Sequence, residues 1–267
     1  MRKVGIMSMQ RIANYGSFLQ AYALKQLIEE VGCNVEFVDY HVGAPVIAEN
    51  ADSKNKVVRK IEKGLETFRY RAPLAHKLSF IRYKQSFARK YMPLLGIADE
   101  MNYNPTVDCL VIGSDEVFNC IQKNSNVGYS PELFGKNNHA KKLITYAASF
   151  GNTTLKKLEK YKKANEVGAL LKKFDAISVR DANSGTIVEQ LTGKEPVYNL
   201  DPVLTYDYMN CCDKIPQVQT NEKYLILYAY AGRISNDEAD WIAAYAKKKN
   251  LKVYAIGEIG RASCRER

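Results

Sequence analysis

The chain opens on a short apolar run, Lys3–Met7, which reads as a strand, and a polar turn follows from Gln10 to Gly16. From Ser17 to Val31 the period changes. Leu19, Ala23, Leu24, Leu27, Ile28 and Val31 recur on one face, which predicts a helix, and Gly32 stands in the position that ends it. Val35–Val38 is a second strand, closed by Asp39. Strand, helix and strand in this order predict a parallel pair joined by a right-handed crossover.

Residues 43–105 break the rhythm and read as a loop and two basic helices, packed outside the sheet as a cap. The alternation then resumes. Strands are expected at Cys109–Ile112, Leu143–Tyr146, Ala176–Val179 and Pro196–Leu200, with helices at Leu155–Phe174 and Ala182–Leu191. Strands apolar on both faces between amphipathic helices predict an α/β fold with a doubly wound parallel sheet. Residues 1–205 are therefore expected to form a complete Rossmann-like domain with a helical insertion at about 43–105. The polar stretch 206–222, with Asn210, Pro216 and Asn221, reads as a linker.

A new α/β unit begins at 223 with strand Tyr224–Tyr230, helix Asn236–Lys249 and strand Lys252–Ile256; Trp241, Ala244 and Tyr245 mark the helix's apolar face. Two strands and one helix cannot close such a sheet with both faces covered, so 223–257 is expected to be the truncated start of a second Rossmann-like domain. The last ten residues, 258–267, have no apolar period and resemble a translated sequencing adapter. An artefactual tail is expected there, with the natural chain continuing differently past Gly257.

Composition narrows the class. Apolar residues make up 46% and charged residues 25%, a soluble globular balance. No apolar run reaches the roughly 18–20 residues that span a bilayer, and the start of the chain lacks a signal-peptide core, so a cytoplasmic protein is expected. Cys33, Cys109, Cys120, Cys211, Cys212 and Cys264 form no Cys-x-x-Cys pair, and His41, His76 and His139 are far apart. Reduced thiols and no metal are the expectation. The net charge of +10 sits largely in Lys54–Arg71, Arg82–Lys90 and Lys156–Lys173, each with apolar residues at helical spacing. These read as solvated helix faces, and no nucleic-acid motif accompanies them. An anionic substrate, or peripheral contact with an anionic membrane surface, would suit the charge.

In open α/β sheets ligands bind beyond the carboxyl ends of the strands. After the first strand stand Asn14, Tyr15, Gly16 and Ser17 at a helix start, suited to an anion or, equally, to a plain N-cap. After the third come Gly113, Ser114 and Asp115, where a carboxylate can serve in acid–base work or cap a helix. After the fourth comes Tyr146-Ala147-Ala148-Ser149-Phe150-Gly151, whose small residues leave room for substrate or for a tight turn. Arg180 follows the next strand as a bidentate fork for phosphate or carboxylate, or as the partner of Asp181 in a surface contact. Asp201-Pro202 begins the exit loop.

Taken together, the stretches Asn14–Leu24, Asp108–Asn119, Tyr146–Gly151, Ile177–Asp181 and Leu200–Leu204 resemble the polysaccharide pyruvyl transferase family. The resemblance implies transfer of the enolpyruvyl unit of phosphoenolpyruvate to a sugar or glycan-lipid acceptor, giving a pyruvate ketal, with no cofactor beyond that donor. It also implies a two-domain arrangement similar to GT-B glycosyltransferases, with the active site in the cleft. On it, Arg180, the Asn14–Ser17 helix start and Arg11 become candidates for holding the donor's anionic groups, with Gly113, Ser114 and Ser149 beside them. Asp115 becomes the candidate for polar work near the acceptor hydroxyl. Two departures stand out. Glu116-Val117-Phe118 replaces the family's usual Gln-Val-Trp, and the Ser-x-His-Gly-type stretch with a catalytic His has no counterpart here. That His is expected beyond Gly257, and residues 1–267 are expected to show little activity. A GT-B nucleotide-sugar glycosyltransferase, a non-catalytic glycan-binding module and a basic polyanion-binding protein are the alternative readings.

Overall fold

A computed structural model describes residues 1–47, 74–122, 127–214, 221–229 and 234–256. Of these, 1–47 and 83–207 form one compact unit, and 74–82 with 208–256 the other.

The first unit holds a six-stranded, all-parallel sheet. In chain order its elements are β1 (Lys3–Met7), α1 (Tyr15–Glu30), β2 (Asn34–Phe37) and the later part of α2 (Leu74–Leu95). There follow β3 (Cys109–Asp115), β4 (Lys142–Ala148), α3 (Leu155–Lys160) and α4 (Ala164–Leu171). The unit ends with β5 (Ser178–Val179), α5 (Ala182–Thr192), β6 (Val197–Tyr198) and a single turn, α6 (Pro202–Thr205). The strand order is β2-β1-β3-β4-β5-β6. The order reverses between β1 and β3, which are paired in register from Val4 with Cys109 to Met7 with Ile112. This is the switch point at which open α/β sheets bind ligands.

Strand β3 shows why the sheet is buried on both sides. Val111 packs with Ile6, Phe18, Leu24, Phe87 and Leu95 under α1 and α2. Its neighbours Leu110 and Ile112 turn to the other face, with Phe118, Phe134, Leu158, Leu171 and Ile187. Each fully buried side chain of this size contributes about 1.5–3 kcal/mol. The Phe118 and Phe134 rings stack with centroids 4.7 Å apart.

The expected helix Leu155–Phe174 is two helices. Leu158, Val167, Leu170, Leu171 and Phe174 are buried as the spacing required, but Lys162 adopts a left-handed φ of 55°. The amide of Lys163 donates to the Leu158 carbonyl and that of Lys162 to Glu159, closing α3 in a left-handed cap. Helix α2 ends in the same manner at Gly96 (φ 77°), with Ile97 N donating to the Met92 carbonyl. It is the described one of the two basic helices expected in 43–105; the other falls within 48–73, outside the described residues.

In the second unit β7 (Tyr224–Tyr228) and β8 (Lys252–Ile256) pair in parallel around α7 (Asn236–Lys249). Ser235 and Glu238 form a reciprocal capping box at the start of α7, and Asn250 (φ 51°) ends it. Within this unit Ala246 is the buried residue of α7, whereas Trp241 is 67% exposed, contrary to the expected apolar face. Two strands are too narrow to cover that face. The expected tail 258–267 lies outside the described residues. Among the described residues no helix is long and apolar enough to cross a membrane.

Candidate functional site

The candidates converge at the carboxyl edge of the sheet. Gly113 has φ 124°, and a Cβ there would stand 2.3 Å from the Tyr146 carbonyl oxygen, so only glycine fits. Asp115 follows with φ 82°, left-handed for a non-glycine residue. Such a conformation costs on the order of 1–3 kcal/mol and persists only where its surroundings dictate it. Here the Asp115 carbonyl accepts the Ser149 amide at 2.9 Å. Ser8 Oγ donates to the Ser114 carbonyl at 3.0 Å, and Ser114 Oγ to Gln20 Oε1 at 2.5 Å. Ser114 is therefore buried and its hydroxyl is spent on α1, across the switch point.

These contacts deliver the Asp115 side chain to Arg180. Arg180 Nη2 lies 3.3 Å from Asp115 Oδ1, and Ser17 Oγ donates to Asp115 Oδ2, also at 3.3 Å. The other guanidinium nitrogen, Nη1, donates to Asp201 Oδ2. Asp115, Arg180 and Asp201 have side chains 19–24% exposed, so all three are within reach of solvent. One cation between two carboxylates leaves the trio one net negative charge.

Arg180 thus does not pair with Asp181, the surface contact that adjacency suggested. Asp181 caps α5, accepting from the Ser184 amide at 2.8 Å, and Ser149 Oγ donates to it at 2.7 Å. Ser184 Oγ also donates to Asp181 and accepts from the Phe150 amide at 2.8 Å. Ser149 is thereby part of a buried network that ties the end of β4 to α5.

Asn14, Tyr15 and Gly16 stand apart from the trio in what they contact. Asn14 is the N-cap of α1, its Oδ1 accepting from Gly16 N at 2.7 Å. Tyr15 turns to α2, where its ring meets Phe87 and Tyr91 edge-on with centroids 5.5 and 5.4 Å away. Ser17 is the member of this segment that reaches Asp115. Arg11 is engaged elsewhere. It grips the buried carboxylate of Asp39 at 2.6 and 2.7 Å and donates to the Ala98 and Glu100 carbonyls at 2.9 Å each. The hydrogen bond to Asp39 raises the Arg11 pKa above its ordinary value. Arg11 and Asp39 border a cavity of about 270 Å³ beside Ser8, Gln10, Tyr40 and Met101, just under the roughly 300–1,000 Å³ of small-molecule sites.

Gln20 and Ser8 escaped the sequence reading, and Asp201 entered it only as the start of the exit loop, without a role. Asp201 had a signal, since it follows the last strand of the unit as Arg180 follows β5. Gln20 and Ser8 act through single hydrogen bonds that no spacing encodes. Among the described residues no group of three or more His, Cys, Asp or Glu could hold a metal ion.

A cation poised between carboxylates at the switch point of a parallel sheet is equipped to receive an anionic group next to a proton acceptor. Comparison with curated proteins and with solved structures gives no match. The family model described as polysaccharide pyruvyl transferase matches residues 14–257, which include every member of the trio. The chain belongs to the polysaccharide pyruvyl transferase family.

Proposed function

We propose that the protein transfers the enolpyruvyl group of phosphoenolpyruvate to a sugar of a polysaccharide or cell-wall glycan precursor, forming a pyruvate ketal and releasing phosphate. The observation that carries this reading is Arg180 with Asp115 at 3.3 Å at the sheet's carboxyl edge. The guanidinium offers a fork to the donor's carboxylate or phosphate, and the adjacent carboxylate can take the proton of an acceptor hydroxyl. In the reaction C3 of the donor gains a proton, one sugar hydroxyl adds at C2, the C2–O bond to phosphate breaks and a second hydroxyl closes the ketal. Two hydroxyl protons are lost; one balances the proton gained at C3 and the other leaves with phosphate. The reading carries with it a cytoplasmic enzyme of GT-B-like arrangement that needs no cofactor, with a glycan-lipid acceptor met at the membrane surface.

Calorimetric titration of the full-length protein with phosphoenolpyruvate, alongside phosphate release in the presence of sugar acceptors, tests it. Arg180→Ala should weaken donor binding roughly 10–100-fold, the worth of a charge-assisted hydrogen bond. Unchanged affinity and turnover would remove Arg180 from the donor site, and binding of a nucleotide sugar in place of phosphoenolpyruvate would favour a glycosyltransferase.

A further inference from the structure

The two carboxylates that share Arg180 are held differently. Asp201 is fixed by backbone. It is the N-cap of α6, its Oδ1 accepts from the Val203 amide at 3.0 Å, and Pro202 follows it in the first turn. Asp115 is fixed only in its main chain. Its carboxylate takes one side-chain donor on each oxygen, Ser17 and Arg180, both at 3.3 Å, beyond the roughly 2.7–2.9 Å of a well-formed charged bond.

Resting on the function proposed above, we infer that Asp115 is a displaceable counter-ion of Arg180, released when the anionic donor binds, whereas Asp201 is the positioning residue that keeps Arg180 in place. The guanidinium has five N–H donors, and an incoming phosphate or carboxylate competes for those that face Asp115. Since the trio carries a net negative charge, a polyanion is admitted only as Asp115 turns away. That turn has a second effect. Turned away from Arg180, the Asp115 carboxylate is free to accept the proton of an acceptor hydroxyl, and it is so only when the donor is in place. Binding is thereby ordered, donor before acceptor, and the base stays quenched in the empty site.

The test compares Asp115→Asn and Asp201→Asn in the full-length protein by calorimetry with phosphoenolpyruvate alone, with phosphate release as the second readout. Asparagine tolerates the left-handed backbone of position 115, and Asp115→Gly provides a second variant free of that strain. Asp115→Asn should bind the donor about tenfold more tightly than the natural protein while losing phosphate release. Asp201→Asn removes the same charge but leaves Asp115 as the one charged partner of the Arg180 guanidinium among the described residues, so donor affinity should stay level or fall. If both substitutions tighten binding equally, charge alone is at work and the exchange is refuted. If neither Asp115 variant tightens binding while the natural protein binds the donor, the exchange is likewise refuted and the proposed function stands. If no form binds phosphoenolpyruvate, the proposed function fails and the exchange with it.

Discussion

Arg180 and Asp181 are neighbours in sequence and strangers in space. Consecutive residues at a strand end point to opposite sides, so Arg180 meets Asp115 and Asp201 while Asp181 caps α5. Sequence alone singled out Asp115 and Arg180 as candidates, because strand ends in a parallel sheet are where chemistry collects, and the structure brings their side chains together. Sequence did not separate the residues that face the site from those that hold it together. Ser149 shows the difference: a small hydroxyl next to a turn glycine has the look of a substrate contact, and its hydroxyl is committed to Asp181. Asp181→Ala is expected to lower stability by about 2–4 kcal/mol. It removes a helix cap and leaves the Ser149 and Ser184 hydroxyls short of a partner in a buried setting. Urea unfolding of the variant measures this directly. A loss under 0.5 kcal/mol would mean that water replaces the carboxylate at no cost.

At the scale of elements, periodicity identified which residues of 155–174 are buried and missed where the helix breaks. The break lies between Leu158 and Val167, where the apolar stripe thins to the partly buried Tyr161 and Ala164. The left-handed turn itself falls on Lys162, a residue with no turn signature. Glycine is the residue that signals such a turn, and Gly32, Gly96 and Gly193 do so at the ends of other helices. Lys162→Gly should therefore stabilise the protein by roughly 1 kcal/mol, by removing the penalty of a side chain in the left-handed region. A higher urea midpoint is the expected reading, and a lower one would show that the Lys162 side chain contributes more than its strain costs. The start of α1 was placed two residues late for a related reason. Asn14, rather than Ser17, is the cap, and both residue types are good caps.

For the whole molecule, the alternation of strands and helices was enough to predict a parallel sheet, and the strand order was not written in it. Any crossover length fits β3 on either side of β1. The order β2-β1-β3 is what lays Ser17 of α1 against Asp115 of β3. Burial on both faces of this sheet has a pH consequence. Burial pushes the Tyr40 hydroxyl and the Cys120 thiol up to about 12 each, from ordinary values of 10.0 and 9.0. A group whose pKa is raised on folding contributes stability that is complete below its unfolded value and is lost as pH climbs towards the folded one. Stability should accordingly hold up to about pH 9 and decline between pH 9 and 12. Each group contributes a slope of at most about 1.4 kcal/mol per pH unit. Urea midpoints across that range check the decline, and Cys120→Ala should make it shallower from pH 9 to 10, where the raised thiols of Cys120 and Cys109 act before the tyrosines. An unchanged slope in the variant would assign the alkaline loss to other groups.

The wide spread of the trio along the chain also sets a timetable. Asp115, Arg180 and Asp201 become available in that order as the chain is made, and at about 5–20 residues per second the last follows the first by several seconds. In the last part of that interval, after Arg180 and before Asp201, the nascent chain carries Arg180 with its loosely held partner and without its fixed one. The carboxylate that caps α6 therefore completes the trio in time as well as in space, and the emergence of α6 marks the earliest moment at which Arg180 has both its partners.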